Sequence, residues 1–447
     1  MENSFIELEI TGLTHEGKGV GRHQGLAVFV KGALPGELVK VSLDKIKKSY
    51  AEGILIEIIV ASPHRNEASC VSYTRCGGCQ LLHLEYEEQL TEKTKIVANA
   101  MERIGGLAHI KVNQCIGMSK PWGYRNKIIF QVGREKLKEK DFSLRLGFFE
   151  DSSNEFVPGK GCLLVSSDLR ALANELERLI NAYDLNKLKR VLIRESAFNN
   201  EFLLGFIFAD DSHDKAQTNK FAEEIKNLFP KVVSIIELVV PDPKIPWKGK
   251  SNVLYGTGYF FEKINGKKFI VSANSFFQVN SLQTEKLYEC VINFAKSGNT
   301  DVIFDLYSGT GTITILLGEI AKQVYGIEFL EEAVGNAREN ACLNDMKNVE
   351  FILGKAEIET KKLVEMGIRP DIIVIDPPRK GCHQELLDTI IAVKPEKVIY
   401  VSCNPATLAR DLKVLSEYYT VEKVQPIDMF PHTNHVETIV SLRRTDT

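Results

Sequence analysis

Residues 1 to about 60 alternate apolar and polar side chains in short runs, Phe5 to Ile10, Leu26 to Val30, Glu37 to Leu43 and Tyr50 to Ile59, with glycine-bearing turns between them. Alternation of period two sets one strand face against a core and the other in water, so this stretch predicts a small β-barrel. The period then changes. A helical pattern runs from about Tyr86 to Ile104, and residues 142 to about 270 mix strands and helices. From Lys268 onward strand and helix alternate, with a helix near Leu282 to Ala295, strand 302–306, helix 311–321, strand 323–328, helix 331–343, and strands near 349, 372 and 398. That texture predicts a parallel, doubly wound α/β sheet. The implied boundaries are 1–62 for the barrel, 63–267 for a central α+β region, and 268–447 for the doubly wound domain, on which the 86–104 helix can pack.

Composition narrows the class. A chain of 447 residues is too long for one ordinary core. Its apolar content of 44% and charged content of 26% are those of a globular protein, and no apolar run reaches the roughly 18 residues of a membrane helix. Met1 to Ser4 show no basic start or apolar region that would mark export, so a reducing cytoplasm is expected and the nine cysteines are not read as a disulfide framework. The net charge of −3 excludes a wholly basic nucleic-acid coat, yet residues 93–140 hold eleven Lys or Arg against Glu102, Glu135 and Glu139. Nothing calls for an obligate protein partner or a membrane, and a monomer is expected.

Chemistry-capable residues gather at three strand ends. In Asp305-Leu306-Tyr307-Ser308-Gly309-Thr310-Gly311-Thr312, glycines let backbone approach a ligand at a helix start, and Glu328 ends the next strand, where a carboxylate can accept both ribose hydroxyls of a nucleoside. Dinucleotide enzymes share this arrangement, but the third glycine of their fingerprint is replaced by Thr314. S-adenosylmethionine, without a pyrophosphate, does not need it. The next end, Asp376-Pro377-Pro378-Arg379, is a rigid acidic turn whose fourth residue is not the aromatic that stacks on bases in amine methylation. The last is Cys403 in VIYVSCNPATLARD, a thiol at a strand tip rather than in a core.

Two further groups stand outside these ends. Cys70, Cys76 and Cys79 form C-x5-C-x2-C, a thiolate nest lacking a fourth ligand; zinc and iron are not separated by this spacing, and Cys162, Cys115 and His83 are equal contenders for the fourth place. In KPWGYRNKIIFQV the basic segment interleaves Trp122 and Tyr124 with Arg125 and Lys127, a composition suited to phosphate contact and base stacking in RNA.

DLYSGTGT, DPPRKG and SCNPATLARD in this order resemble the RNA uracil-C5 methyltransferase family, and the resemblance continues in the barrel, which looks like a TRAM domain, and in CVSYTRCGGCQLLHL, ANSFFQVN and HTNHVETIVSL. The resemblance implies a Rossmann-like class I methyltransferase domain behind an OB-like barrel and an iron–sulfur region. It implies S-adenosylmethionine held by Gln278, Tyr307, Glu328 and Asp376, with Gly309 and Gly311 in the turn, and a [4Fe-4S] cluster on Cys70, Cys76, Cys79 and Cys162. It also implies Cys403 as nucleophile on uracil C6 and Glu437 as the base that removes the C5 proton. Without the resemblance Glu437 reads as the solvent face of an alternating strand, with His432 and His435 as runner-up proton acceptors. The cluster-bearing layout points to 23S rRNA, with tRNA as the alternative; an iron–sulfur oxidoreductase using a nicotinamide is the second class of reading.

Overall fold

The computed structural model describes residues 5–136, 142–150, 153, 155–159, 161–241, 249–296 and 302–445. The N-terminal alternation folds as β1 (Phe5–Leu13), β2 (Lys18–His23), β3 (Leu26–Lys31), β4 (Leu38–Ile46) and β5 (Tyr50–Val60), closed into a barrel of order β1-β2-β3-β5-β4. Leu8, Ile10, Val28, Val30, Val39, Val41 and Ala51 fill it. β2 falls where the sequence reads only as turn, because its glycines serve packing: a Cβ on Gly21 would lie 2.3 Å from the Glu9 carbonyl oxygen. The barrel is closed off by buried Glu37, whose carboxylate accepts from the Leu34 N–H at 2.8 Å and from the Arg65 guanidinium. The helix expected near 86–104 is α1 (Tyr86–Arg103), and it packs on the C-terminal elements described below.

Elements between Lys127 and Tyr255 organise a seven-stranded sheet. Its elements are β6 (Lys127–Lys136), β7 (Phe142–Phe149), β8 (Phe156–Pro158), α2 (Ser167–Ala182), β9 (Leu188–Glu195), β10 (Phe202–Phe208), α3 (Lys215–Leu228), β11 (Val232–Val239) and β12 (Lys250–Tyr255), with strand order β12-β11-β10-β9-β6-β7-β8. β10, all apolar apart from Gly205, is buried along its whole length, and α2 and α3 supply Leu169, Leu172, Leu176, Phe221 and Ile225 to the same core. A hairpin of β13 (Tyr259–Ile264) and β14 (Lys267–Ser272) leads to α4 (Ser281–Ala295).

The alternating region then runs β15 (Val302–Leu306), α5 (Thr312–Leu317), β16 (Gln323–Glu328), α6 (Glu331–Leu343), β17 (Val349–Leu353) and α7 (Ala356–Glu365), with β15, β16 and β17 parallel. The helix expected over 311–321 is only Thr312–Leu317, because the Asn348 side chain takes the Gly318 and Ala321 carbonyls at 2.7 and 2.9 Å and turns the chain early. Last come β18 (Ile372–Ile375), α8 (Gln384–Val393), β19 (Lys397–Ser402), α9 (Pro405–Leu415), β20 (Tyr419–Ile427) and β21 (Glu437–Arg444). β18 and β19 are parallel, while β21 pairs antiparallel with both β19 and β20.

Backbone contacts sort these elements into two compact units. The first gathers the segment ending at Tyr73, Gly78–Pro121 and the chain from Leu363 onward; the second holds Thr74–Gly77 and Trp122–Lys362. In the first unit α1 lies against α9 and β20. Lys93 of α1 and Asp428 are both fully buried and meet at 2.5 Å, and Asp428 also accepts from the Tyr86 hydroxyl at 2.9 Å. Lys93→Met is expected to lower unfolding stability by about 3–5 kcal/mol, because it strands the Asp428 carboxylate in the interior. A denaturant titration of wild type and variant checks this.

Candidate active site

Three strands of the first unit bring the expected catalytic residues to one end. In the β19–β21 ladder Ser402 faces Thr438, so Cys403 and Glu437 are the next residues to leave it, side by side. β18 runs parallel to β19 with Ile375 opposite Tyr400, which brings Asp376 out of the sheet at the same end. The turn after Cys403 is fixed locally: the Ser402 hydroxyl and the Asn404 backbone bind each other at 3.1 Å, the Asn404 side chain accepts from the Ala406 N–H at 3.0 Å, and Pro405 opens α9. Cys403 therefore sits at the positive end of an eleven-residue helix, where a thiolate is favoured.

The neighbouring charges oppose that effect. Burial, followed by the Glu437 and Asp376 carboxyls, pushes the half-buried Cys403 thiol up to about 11, and the Arg379 guanidinium pulls it back. Glu437 is 6% exposed, and burial with the Asp376 charge drives its carboxyl up to about 8, again opposed by Arg379. Burial pushes Asp376 up to about 7. Burial and the neighbouring carboxyls thus raise the proton affinity of both Cys403 and Glu437, which suits a carboxyl that has to accept a proton. His432 is buried and its backbone is tied to α1 and the segment before it. Its backbone N–H donates to Gln89 at 3.0 Å, its carbonyl accepts from the Gln80 and Leu81 N–H groups, and burial pulls its imidazole down to about 4.

The second unit holds the glycine turn. Tyr307, Gly309 and Gly311 all have positive φ, at 65°, 55° and 81°, and a Cβ on Gly311 would strike the Phe351 ring at 2.6 Å. Glu328, buried at the end of β16, accepts from the Gly309 and Leu330 N–H groups at 3.1 and 2.9 Å. A carboxylate has lone pairs beyond these two. The surroundings fit a nucleoside-bearing ligand: the Ser308 hydroxyl is buried with no hydrogen-bond partner, and a Cβ on Gly309 would meet nothing within 4 Å. Gln278 is half-buried and its segment is fixed by Asn126, whose amide donates to the Gln278 carbonyl at 3.0 Å. Asn340 likewise donates to the Thr310 carbonyl at 3.0 Å and accepts from the Ile270 N–H at 2.8 Å. Sequence reasoning missed Asn126, Asn340 and Ser308, since an amide or hydroxyl carries no signal until its backbone partner is known.

The sequence model of the tRNA (uracil-5-)-methyltransferase family matches residues 85–445, and that of the TRAM domain matches residues 1–56. The chain belongs to the tRNA (uracil-5-)-methyltransferase family. It is 41% identical over 456 residues to an uncharacterized RNA methyltransferase of Bacillus cereus, covering 100% of this chain and 98% of the relative. It is 38% identical over 452 residues to another from Clostridium tetani, covering 98% and 96%. The solved structure of the Pyrococcus abyssi tRNA (uracil-54, C5)-methyltransferase in complex with S-adenosyl-L-homocysteine is similar with a TM-score of 0.74 at 27% identity, covering 98% of this chain and 100% of that one. Membership makes the protein an RNA (uracil-C5) methyltransferase that uses S-adenosylmethionine, with a class I methyltransferase fold and a TRAM barrel. The nicotinamide oxidoreductase reading is set aside.

Within this family assignment, the residues expected on RNA are unequally presented. Trp122 is 40% exposed, whereas Tyr124 is 7% exposed and its ring is packed inside. Arg125 is half-buried, and burial, with the Arg194 charge beside it, pulls the half-buried Lys127 ammonium down to about 7. Lys93, counted in the basic segment, is an interior ion-pair partner rather than a phosphate contact, and residues 137–140 lie outside the described residues. The four cysteines expected on a cluster are half-buried, and none is in a disulfide. Among the described residues no group of three or more His, Cys, Asp or Glu side chains is placed to hold a metal. No described helix is long and apolar enough to cross a membrane.

Proposed function

We propose that this enzyme methylates C5 of a uridine in 23S rRNA through a covalent bond between Cys403 and C6 of the target uracil. The observation that carries the reading is the emergence of Cys403 and Glu437 side by side at the end of the β19–β21 ladder, with Asp376 leaving β18 at that end. Uracil C5 is a poor nucleophile until the Cys403 thiol, its proton lost to solvent, adds as thiolate to C6 and displaces the C5–C6 π pair toward C5 and the C4 carbonyl. S-adenosylmethionine would be held by Tyr307, Glu328, Gln278 and the Gly309–Gly311 turn and would supply an electrophilic methyl group, leaving as S-adenosylhomocysteine with the electron pair of the broken S–C bond. Once C5 carries that methyl, Glu437 takes the C5 proton, the C5–C6 double bond re-forms and the Cys403 sulfur departs with its electron pair. Burial of Glu437 keeps water from competing for that proton. Arg379 offsets the negative charge that accumulates on the thiolate and the two carboxyls.

The target must be in a loop or be extruded, at a cost of about a few kcal/mol that RNA contacts from the TRAM barrel and Trp122 would offset. The family resemblance implies a [4Fe-4S] cluster on Cys70, Cys76, Cys79 and Cys162, and with it an rRNA substrate; iron and acid-labile sulfide in anaerobically purified protein decide the point. tRNA is the second reading, favoured by the name and the substrate of the P. abyssi neighbour. Mapping 5-methyluridine in rRNA and tRNA from cells with and without the protein separates them. The expected result is one or more 23S positions losing the mark, and loss from tRNA alone would reverse the choice.

A further inference from the structure

Arg379 is the cation that opposes the carboxyl charges at both Cys403 and Glu437, and the turn that carries it is bound to the opening of α9. The Arg379 carbonyl accepts from the Asn404 side-chain amide at 3.2 Å and from the Thr407 hydroxyl at 3.3 Å. One turn further along α9, Arg410 donates to the Lys380 carbonyl at 3.0 Å and to the Cys382 carbonyl at 3.3 Å. Asp411, 1% exposed, accepts from the Cys382 N–H at 2.8 Å, from the Tyr400 hydroxyl at 2.7 Å and from its neighbour Arg410 at 2.8 Å. Gly381 completes the fit, since a Cβ there would come within 2.6 Å of both the Arg410 guanidinium and the Asp411 carboxylate.

We propose that Asp411 and Arg410 are positioning residues for the reaction: they clamp the 379–382 turn to α9 and so set where the Arg379 guanidinium stands relative to Cys403 and Glu437. The physical reason is that α9 begins two residues after Cys403, so one rigid element carries both the start of the nucleophile's helix and the anchors of the turn. The groups that face the thiol are Glu437 from β21, Asp376 and Arg379 from the turn after β18, and the α9 N-terminus. Asp411 acts on them only through the turn. The inference rests on Cys403 being the reactive thiol.

The test is the pH dependence of iodoacetamide alkylation at Cys403, read on its own peptide by mass spectrometry in the full-length, RNA-free protein. Arg379→Gln, Asp411→Asn and Arg410→Gln are compared with wild type. An opposite charge a few ångströms away shifts a thiol by about one pH unit, so each variant is expected to alkylate roughly tenfold more slowly at pH 8. Adding Asp411→Asn to Arg379→Gln should slow it no further. Wild-type alkylation profiles in both Asp411→Asn and Arg410→Gln, with methylation nonetheless lost, would reduce the clamp to a purely structural role. Should Asp411→Asn not fold, the comparison of half-exposed Arg410→Gln with wild type decides between these outcomes. Because alkylation is read without RNA, it is independent of whether Cys403→Ala retains methylation, which would overturn the nucleophile assignment instead.

Discussion

Glu437→Gln is expected to lower turnover by roughly 10²–10⁴-fold and to leave the enzyme covalently attached to ordinary substrate RNA, in a band that survives denaturing gel electrophoresis. Glutamine matches the shape of the protonated carboxyl that burial favours, so the site should assemble, Cys403 should add and C5 should receive its methyl. What fails is the last proton transfer, and without it the sulfur cannot leave. The trapped RNA should carry labelled methyl. The same logic fixes the pH sign for wild type: the base must be ionised, its carboxyl stands near 8, and turnover should climb as pH passes through that value. In Glu437→Gln that inflection should vanish from the residual rate. Retention of the wild-type profile by the variant would hand the proton to Asp376 or to water.

Cys403→Ala should remove methylation by roughly 10⁴-fold or more and abolish every covalent adduct, including the one that 5-fluorouridine RNA forms with wild type. Fluorine at C5 leaves no proton to abstract, so wild-type enzyme should be held irreversibly by such RNA. Binding should outlast the chemistry, because the TRAM barrel and the Trp122 segment are untouched by the change. Appreciable 5-methyluridine formed by Cys403→Ala, or wild type released from fluorinated RNA, would leave C6 addition without support.

Much of this layout is legible in local sequence. Strands 302–306 and 323–328 and the helix over 331–343 appear at the residues where their periodicity places them, since a short, mostly apolar run, or a turn-by-turn apolar stripe, needs no distant partner to be recognised. Asp376, Cys403 and the Tyr307–Gly311 turn stand out because each follows a strand and precedes a helix, a position that opens on a cleft. Glu437 behaves differently. Read by alternation it faces solvent, yet β21 lies between β19 and β20 and is buried over its first six residues, so both of its faces are interior at that end. Lys93 fails in the same manner: a lysine in a cation-rich stretch reads as a phosphate contact, and only the return of the chain at Asp428 turns it into half of an internal ion pair.

Taken by itself, the order of residues determined the barrel, the alternating α/β region, the three strand ends that carry chemistry-capable side chains and, through their motifs, the family. Tertiary structure decided which carboxyls crowd the thiol, which cations face inward, and that α9 holds the Arg379 turn. The division follows from range. Periodicity and turn chemistry act over a few residues, while the ionisation of a side chain depends on burial and on charges brought within a few ångströms by segments far apart in the chain.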